Sequence, residues 1–184
     1  MGQQRETYPI EIAGIHRDLA LFEVKPGLRI AILNILGDTE LVEVCAEALA
    51  KKLEGVTFHT LVTAEAKSIP LAHALSVATG KPYVILRKAY KPYMGDAIQS
   101  ETLSITTGEP QTLYLDEKDK SLIMDKNVII VDDVISTGST LQAMRMILTK
   151  AGGEVAAEAA ILTEGERAKW ADIISLGHIP VFTD

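Results

Sequence analysis

The thirteen residues Val128-Ile129-Ile130-Val131-Asp132-Asp133-Val134-Ile135-Ser136-Thr137-Gly138-Ser139-Thr140 constrain this chain more than any other stretch. Four consecutive β-branched residues suit a strand buried on both faces, as in a parallel sheet covered by helices on each side. Two adjacent carboxylates follow at the mouth of that strand. Burial there is costly unless each finds a polar partner, and successive strand side chains point to opposite faces. A hydroxyl-bearing ligand or a cation supplies such a partner. Small hydroxyl residues around Gly138 then lead into a helical pattern with Leu141, Met144, Ile147 and Leu148 on one face. A loop that opens a helix in this way aims backbone N–H groups and the positive end of the helix dipole at one point, with Thr137, Ser139 and Thr140 adding hydroxyls. The expected occupant is a phosphate.

Taken alone, the same residues also suit a solvated Asp132–Asp133 turn with Ser139 or Thr140 as a helix N-cap. Two other phosphate-loop patterns, Gly-x-x-x-x-Gly-Lys-[Ser/Thr] and Gly-x-Gly-x-x-Gly, are absent from the chain. The whole string instead resembles the signature of the type I phosphoribosyltransferases, which bind 5-phosphoribosyl-1-pyrophosphate (PRPP). The resemblance implies that Asp132 and Asp133 hold the ribose hydroxyls. It also implies that Ile135, Ser136, Thr137, Gly138, Ser139 and Thr140 cradle the 5-phosphate.

With 184 residues, 47% of them hydrophobic, the chain is long enough for one well-buried domain, and residues 1–184 are expected to form a single unit. A net charge of -7, from 25 acidic and 18 basic residues, disfavours sequence-independent attraction to nucleic acid or to anionic membrane. No apolar run reaches the roughly 18 residues that span a bilayer, and no basic-then-apolar leader is present, so a cytoplasmic location is expected. The lone Cys45 falls on an apolar helical face with Leu41, Ala48 and Leu49, which reads as a buried, inert thiol.

Strand-like stretches at Tyr8–Ala13, Leu19–Val24 and Leu28–Leu36 precede any helix, and Asp38 or Thr39 offers a cap for a helix running to about Glu54. From Thr57 onward strands and helices alternate: Phe58–Thr63, helix Ser68–Ala78, Tyr83–Arg87, Val128–Val131, helix Ser139–Ala151, Glu154–Leu162. That order predicts an α/β fold with a central, mainly parallel sheet flanked by helices, with ligands at the carboxyl ends of the strands. In terms of the resemblance, residues 1–36 are mainly a small hood over the base. Residues 89–115 are a lid loop and hairpin that keeps water from the reacting centre, with Thr106-Thr107-Gly108-Glu109-Pro110 as a turn between strands Leu103–Ile105 and Thr112–Leu115. The tail Glu164–Asp184 is ambiguous, with one short helical turn and an apolar end, Ile179-Pro180-Val181-Phe182.

Two more strand ends carry charge. Thr63-Ala64-Glu65-Ala66-Lys67-Ser68-Ile69-Pro70-Leu71-Ala72 places a lysine at a helix N-terminus, where it opposes the dipole unless it faces an anion. An exposed Glu65–Lys67 pair is the plain alternative. The segment is similar to the pyrophosphate loop of orotate and adenine phosphoribosyltransferases, with Ala66–Lys67 as a candidate cis peptide. Leu86-Arg87-Lys88-Ala89-Tyr90-Lys91 gathers three cations in an acidic chain. The resemblance implies Ala66, Lys67, Arg87, Lys88 and Lys91 as pyrophosphate contacts, with Glu65, Lys67 and Arg87 as catalytic groups. It implies Mg2+ held mainly by substrate oxygens and water, a free nucleobase as second substrate, and a homodimer. Ser136 stands where bacterial and animal hypoxanthine-guanine enzymes of the family usually carry an aspartate, which favours adenine, although archaeal-type hypoxanthine enzymes also tolerate serine there. Hypoxanthine, guanine or orotate as the base, or a non-catalytic PRPP sensor, are the alternatives.

Overall fold

In the computed structural model, which describes residues 6–103 and 110–183, Thr7–Ile12 (β1), Ile15–Lys25 (β2) and Leu28–Ile32 (β3) form an antiparallel meander. Ile12, Leu19 and Ala31 point from it into the core. The helix Thr39–Lys52 (α1) follows. Its N-cap is Asp38, whose Oδ1 accepts from the Leu41 N–H at 3.2 Å. Arg17 of β2 grips the same carboxylate with two bonds, Nε to Oδ2 at 2.8 Å and Nη2 to Oδ1 at 2.9 Å. The hood is thereby pinned to the start of α1.

The Arg17 guanidinium, with the Leu41 N–H behind it, holds the Asp38 carboxyl below the usual carboxylate range. Asp38→Ala is expected to cost about 1–2 kcal/mol in urea unfolding at neutral pH through the lost cap. A carboxyl whose folded pKa is depressed stabilises above its unfolded pKa and loses that effect as pH falls through the folded value. The difference between parent and variant should therefore shrink below about pH 4. Equal unfolding midpoints at neutral pH would contradict this role.

The remaining elements are Thr60–Ala64 (β4), Ile69–Thr79 (α2), Tyr83–Leu86 (β5), Ile98–Leu103 (β6), Pro110–Leu115 (β7), Asn127–Ile135 (β8), Ser139–Lys150 (α3), Glu154–Glu164 (β9), Ile174–Ile179 (β10) and Phe182–Thr183 (β11). A five-stranded parallel sheet runs in the order β10-β9-β8-β4-β5. The apolar run of β8 serves both faces by strict alternation. Ile129 and Val131 join Leu41, Leu49, Leu71 and Leu75 under α1 and α2. Val128 and Ile130 join Leu141, Met144, Ile147 and Leu148 of α3 on the other face. Cys45 is fully buried, and burial pushes its thiol pKa up to about 12, consistent with an inert core residue.

Three expectations change. The central strand does not stop at Val131 but continues through the aspartate pair to Ile135, pairing with β9 as far as Thr163. The segment after Glu164 resolves into a 3-10 turn at Arg167–Trp170 and two strands: β10 extends the main sheet and β11 pairs with β3. The hood is therefore a four-stranded sheet of order β1-β2-β3-β11, built from both ends of the chain, with the Tyr8 and Phe182 rings edge to face at 5.2 Å. Finally, the hairpin strand expected at Leu103–Ile105 starts earlier, at Ile98, and the connection before it contains a 3-10 turn at Pro92–Met94. Its partner β7 begins at Pro110. Of the turn expected at Thr106–Pro110, residues 106–109 lie outside the described residues and Pro110 opens β7. The base of this hairpin is tied to the end of β5 by reciprocal Arg87–Tyr114 backbone bonds of 2.9 and 2.8 Å, and to α3 by Lys150 Nζ donating to Gln99 O at 2.9 Å.

Candidate active site

The carboxyl ends of β4, β5, β8 and β9 bring the charged motifs to one edge of the sheet. Asp133 is buried and Asp132 half-buried. Although neighbours on a strand diverge, these two carboxylates converge on one hydroxyl. Ser68 Oγ lies 2.7 Å from Asp132 Oδ1 and 2.9 Å from Asp133 Oδ1, and accepts from the Asp133 N–H at 2.9 Å. Asp132 Oδ1 also accepts from that N–H at 2.9 Å, so its side chain is folded back along the strand.

Ser68 has a single proton to give. The two carboxylates compete for it, and neither has another side-chain donor on its Oδ1 among the described residues. Burial, then the negative charge of Asp133, pushes the Asp132 carboxyl up to about 7. Lys67 Nζ stands 2.6 Å from Asp133 Oδ2. Ser68 is the N-cap residue of α2, but its hydroxyl makes no cap bond and is committed to the aspartates instead. Its part in the site was not drawn from the sequence, although it lies inside the second charged strand end.

Glu65 and Lys67 do not pair with each other. Glu65 takes Arg87 Nε on Oε1 at 3.0 Å and the Lys88 N–H on Oε2 at 3.0 Å. The Lys88 N–H, then the Arg87 side chain, holds the Glu65 carboxyl below its usual range. The cis peptide is Glu65–Ala66, one bond before the Ala66–Lys67 bond expected. Lys88 and Lys91 are exposed at the rim.

Beyond β8 the chain turns at Gly138, φ +83°, and enters α3. Asp132, Ser136, Thr137, Gly138 and Thr140 border a cavity of about 100 Å³ there. Thr137 Oγ1 and Ser139 Oγ are 3.0 Å apart. Wider grooves, about 950 Å³ between α1 and α2 and about 770 Å³ between the β6–β7 hairpin and α3, lie away from these groups. Convergent chemistry rather than volume marks the site.

Three further residues flank the loop and escaped sequence reading. The Ser136 hydroxyl bonds the carboxylate of Glu164 at the end of β9. Trp170 packs its ring on Gly138 and donates its indole N–H to Glu164 O at 2.9 Å. Lys169 Nζ lies 4.4 Å from the Trp170 ring centroid and donates to Thr137 O at 3.1 Å. Glu164 had the same signal as Asp132 and Asp133, a carboxylate closing an apolar strand.

A family profile described as "Phosphoribosyl transferase domain" matches residues 33–174, which hold every group named above from Glu65 to Trp170. The chain belongs to this family. It is thus a phosphoribosyltransferase, with the family's parallel sheet, an antiparallel hood and a hairpin. It is 31% identical over 159 residues to an adenine phosphoribosyltransferase of Thermosipho melanesiensis, covering 85% of this chain and 87% of that one. A hypoxanthine/guanine phosphoribosyltransferase of Methanotorris igneus is 36% identical over 124 residues, 67% of this chain and 64% of its relative, so the likeness spans just under two thirds of that protein. Among solved structures, the adenine phosphoribosyltransferase of Thermoanaerobacter pseudethanolicus superposes with a TM-score of 0.72 at 25% identity, over 87% of this chain and 95% of the other.

Proposed function

We propose that this phosphoribosyltransferase joins adenine to ribose 5-phosphate, using PRPP as donor and releasing pyrophosphate. The observation that carries the reading is the Lys67–Asp133–Ser68–Asp132 cluster running directly into the Gly138 loop. The loop takes the 5-phosphate on backbone N–H groups, those around Ile135, Ser136 and Gly138 included, and on the hydroxyls of Thr137, Ser139 and Thr140, the Ser136 hydroxyl being committed to Glu164. Asp132 and Asp133 accept the two ribose hydroxyls, Asp132 giving up its proton as the ligand enters. Lys67 and the backbone at Ala66, with Arg87, Lys88 and Lys91, hold pyrophosphate.

A ring nitrogen of the base attacks the anomeric carbon from the face opposite pyrophosphate, so the new C–N bond forms as the C–O bond breaks and configuration inverts. The base loses its ring proton and pyrophosphate leaves with the bonding pair. Once Arg87 turns toward pyrophosphate, Glu65 keeps the Lys88 N–H on Oε2 and has Oε1 free to take that proton. Asp132 and Asp133 provide the hard oxygen donors that suit Mg2+ in outer positions, the remaining ligands being substrate oxygens and water. When bound, the ion neutralises charge growing on the leaving group. The hairpin shields the centre from water. The same reading makes the enzyme a homodimer, for which Phe22 and Val24, 58% and 46% exposed on β2, offer apolar surface. A cytoplasmic location suits its free, buried Cys45.

The Methanotorris relative favours a second reading in which the base is hypoxanthine or guanine. Pyrophosphate release from PRPP and Mg2+ with adenine, hypoxanthine, guanine and orotate in turn decides the matter. Adenine should give the highest kcat/KM. Preference for a 6-oxopurine supports the second reading, preference for orotate overturns both, and release with no base leaves a PRPP-binding regulator.

A further inference from the structure

One carboxyl group at the site has no part in the reaction described above. Glu164 is only 5% exposed, at the carboxyl end of β9, the strand beside β8. Its Oε2 is taken by the Ser136 hydroxyl. Its Oε1 has no hydrogen-bonding or ionic partner among the described residues. Nor can the side chain be carried away from the loop easily, because the surrounding backbone is fixed on three sides. The Trp170 indole binds Glu164 O, the Gly165 N–H donates to Ile179 O at 3.1 Å, and His178 Nε2 lies 3.0 Å from Gly165 O. Burial raises the carboxyl's pKa and so makes it a stronger hydrogen-bond acceptor, while the Ser136 hydroxyl, then the His178 and Lys67 side chains, oppose that rise.

An acceptor oxygen that reaches solvent at the edge of the site and has no protein partner is open to a donor from a ligand. The reactants narrow the choice. Phosphate and pyrophosphate are anions and are repelled by a carboxylate. The ribose hydroxyls are matched to Asp132 and Asp133. The only remaining N–H donors belong to the base. We infer that Glu164 reads the base, accepting an N–H of the 6-amino group of an aminopurine on Oε1 while Ser136 steadies Oε2. This rests on the proposed transfer to a purine and explains how the chain selects among purines. A 6-oxopurine turns a carbonyl lone pair toward the same oxygen and is rejected, since a site built to receive an N–H discriminates strongly against a group that lacks it.

The test compares adenine with unsubstituted purine, which lacks the 6-amino group, in the parent and in Glu164→Met, which keeps side-chain length but removes the acceptor. Steady-state kinetics with each base are read beside calorimetric binding of PRPP with Mg2+ and no base. The parent should favour adenine over purine by about tenfold or more in kcat/KM. In Glu164→Met that ratio should fall to near one while PRPP affinity stays within about twofold of the parent. A ratio unchanged by the substitution, or a parent that uses purine as well as adenine, overturns the inference. If the variant does not fold, the parent's adenine-to-purine ratio decides alone. No pyrophosphate release with any base overturns the transfer reaction itself and this inference with it, whereas release without base discrimination overturns only the role of Glu164.

Discussion

Replacing Asp132 and Asp133 together by asparagine should lower turnover from PRPP by about a hundredfold or more. Each carboxylate gives up a charge-assisted bond to a ribose hydroxyl, worth about 1.5–3 kcal/mol, and two such losses amount to about 3–6 kcal/mol. Shape and backbone pairing survive, so far-ultraviolet circular dichroism should not change. The parent should also show a pH signature that the Asp132→Asn variant lacks. With Asp132 raised to about 7, the free protein carries a proton that ribose binding displaces. PRPP affinity in Mg2+ should therefore weaken as pH falls from about 7 toward 5, with proton release visible as a buffer-dependent heat. The sign for folding is opposite. Because the folded pKa lies above the unfolded one, the folded state binds the proton more tightly, and this group's contribution to stability declines as pH rises from about 4 through 7. Unaltered kinetics in the double variant would sink the assignment of the pair to ribose.

Gly138→Val should be nearly as damaging, for reasons confined to the phosphate loop. At φ +83° a β-branched residue is strained, by about 1–3 kcal/mol. A Cβ at this position would also stand 2.7 Å from the Trp170 ring, which must then move. PRPP affinity should fall by tenfold to roughly a hundredfold, as that strain implies. Because Trp170 is the chain's single tryptophan, its fluorescence should change in the same variant. Thr140→Val, which removes one hydroxyl without strain, should lose about 1 kcal/mol of binding. Parent-like calorimetry for both variants would contradict a phosphate at this loop.

The parts of the fold that follow from periodicity were open to reading in advance. Val128 to Val131 announces a two-faced strand because it is apolar at every position, and the spacing of Leu141, Met144, Ile147 and Leu148 announces the helix behind it. The extension of β8 through Asp132 and Asp133 was hidden because a charge pair ordinarily ends a strand. Here Ser68, 64 residues away from Asp132 in sequence, provides the missing partner. The same limit explains the rest. Arg17 against Asp38, Glu65 against Arg87 and Glu164 against Ser136 are long-range pairs, and no local pattern links their members. The segment after Glu164 stayed open because Gly177 and Pro180 interrupt its apolar residues. Its strands depend on neighbours, β9 and β3, that the local sequence does not reveal.

The pairing of β11 with β3 sets an order of events during synthesis. By the time residue 164 has left the ribosome, the strands β4, β5, β8 and β9 and the phosphate loop are all available to assemble, since every residue they need has been made. The hood has three of its four strands among the first 32 residues and must wait for Phe182, nearly the whole length of the chain later. Until then Tyr8 lacks the ring it packs against. A nascent chain can thus have a finished phosphate cradle while the sheet above it is still missing the edge that Phe182 and Thr183 supply.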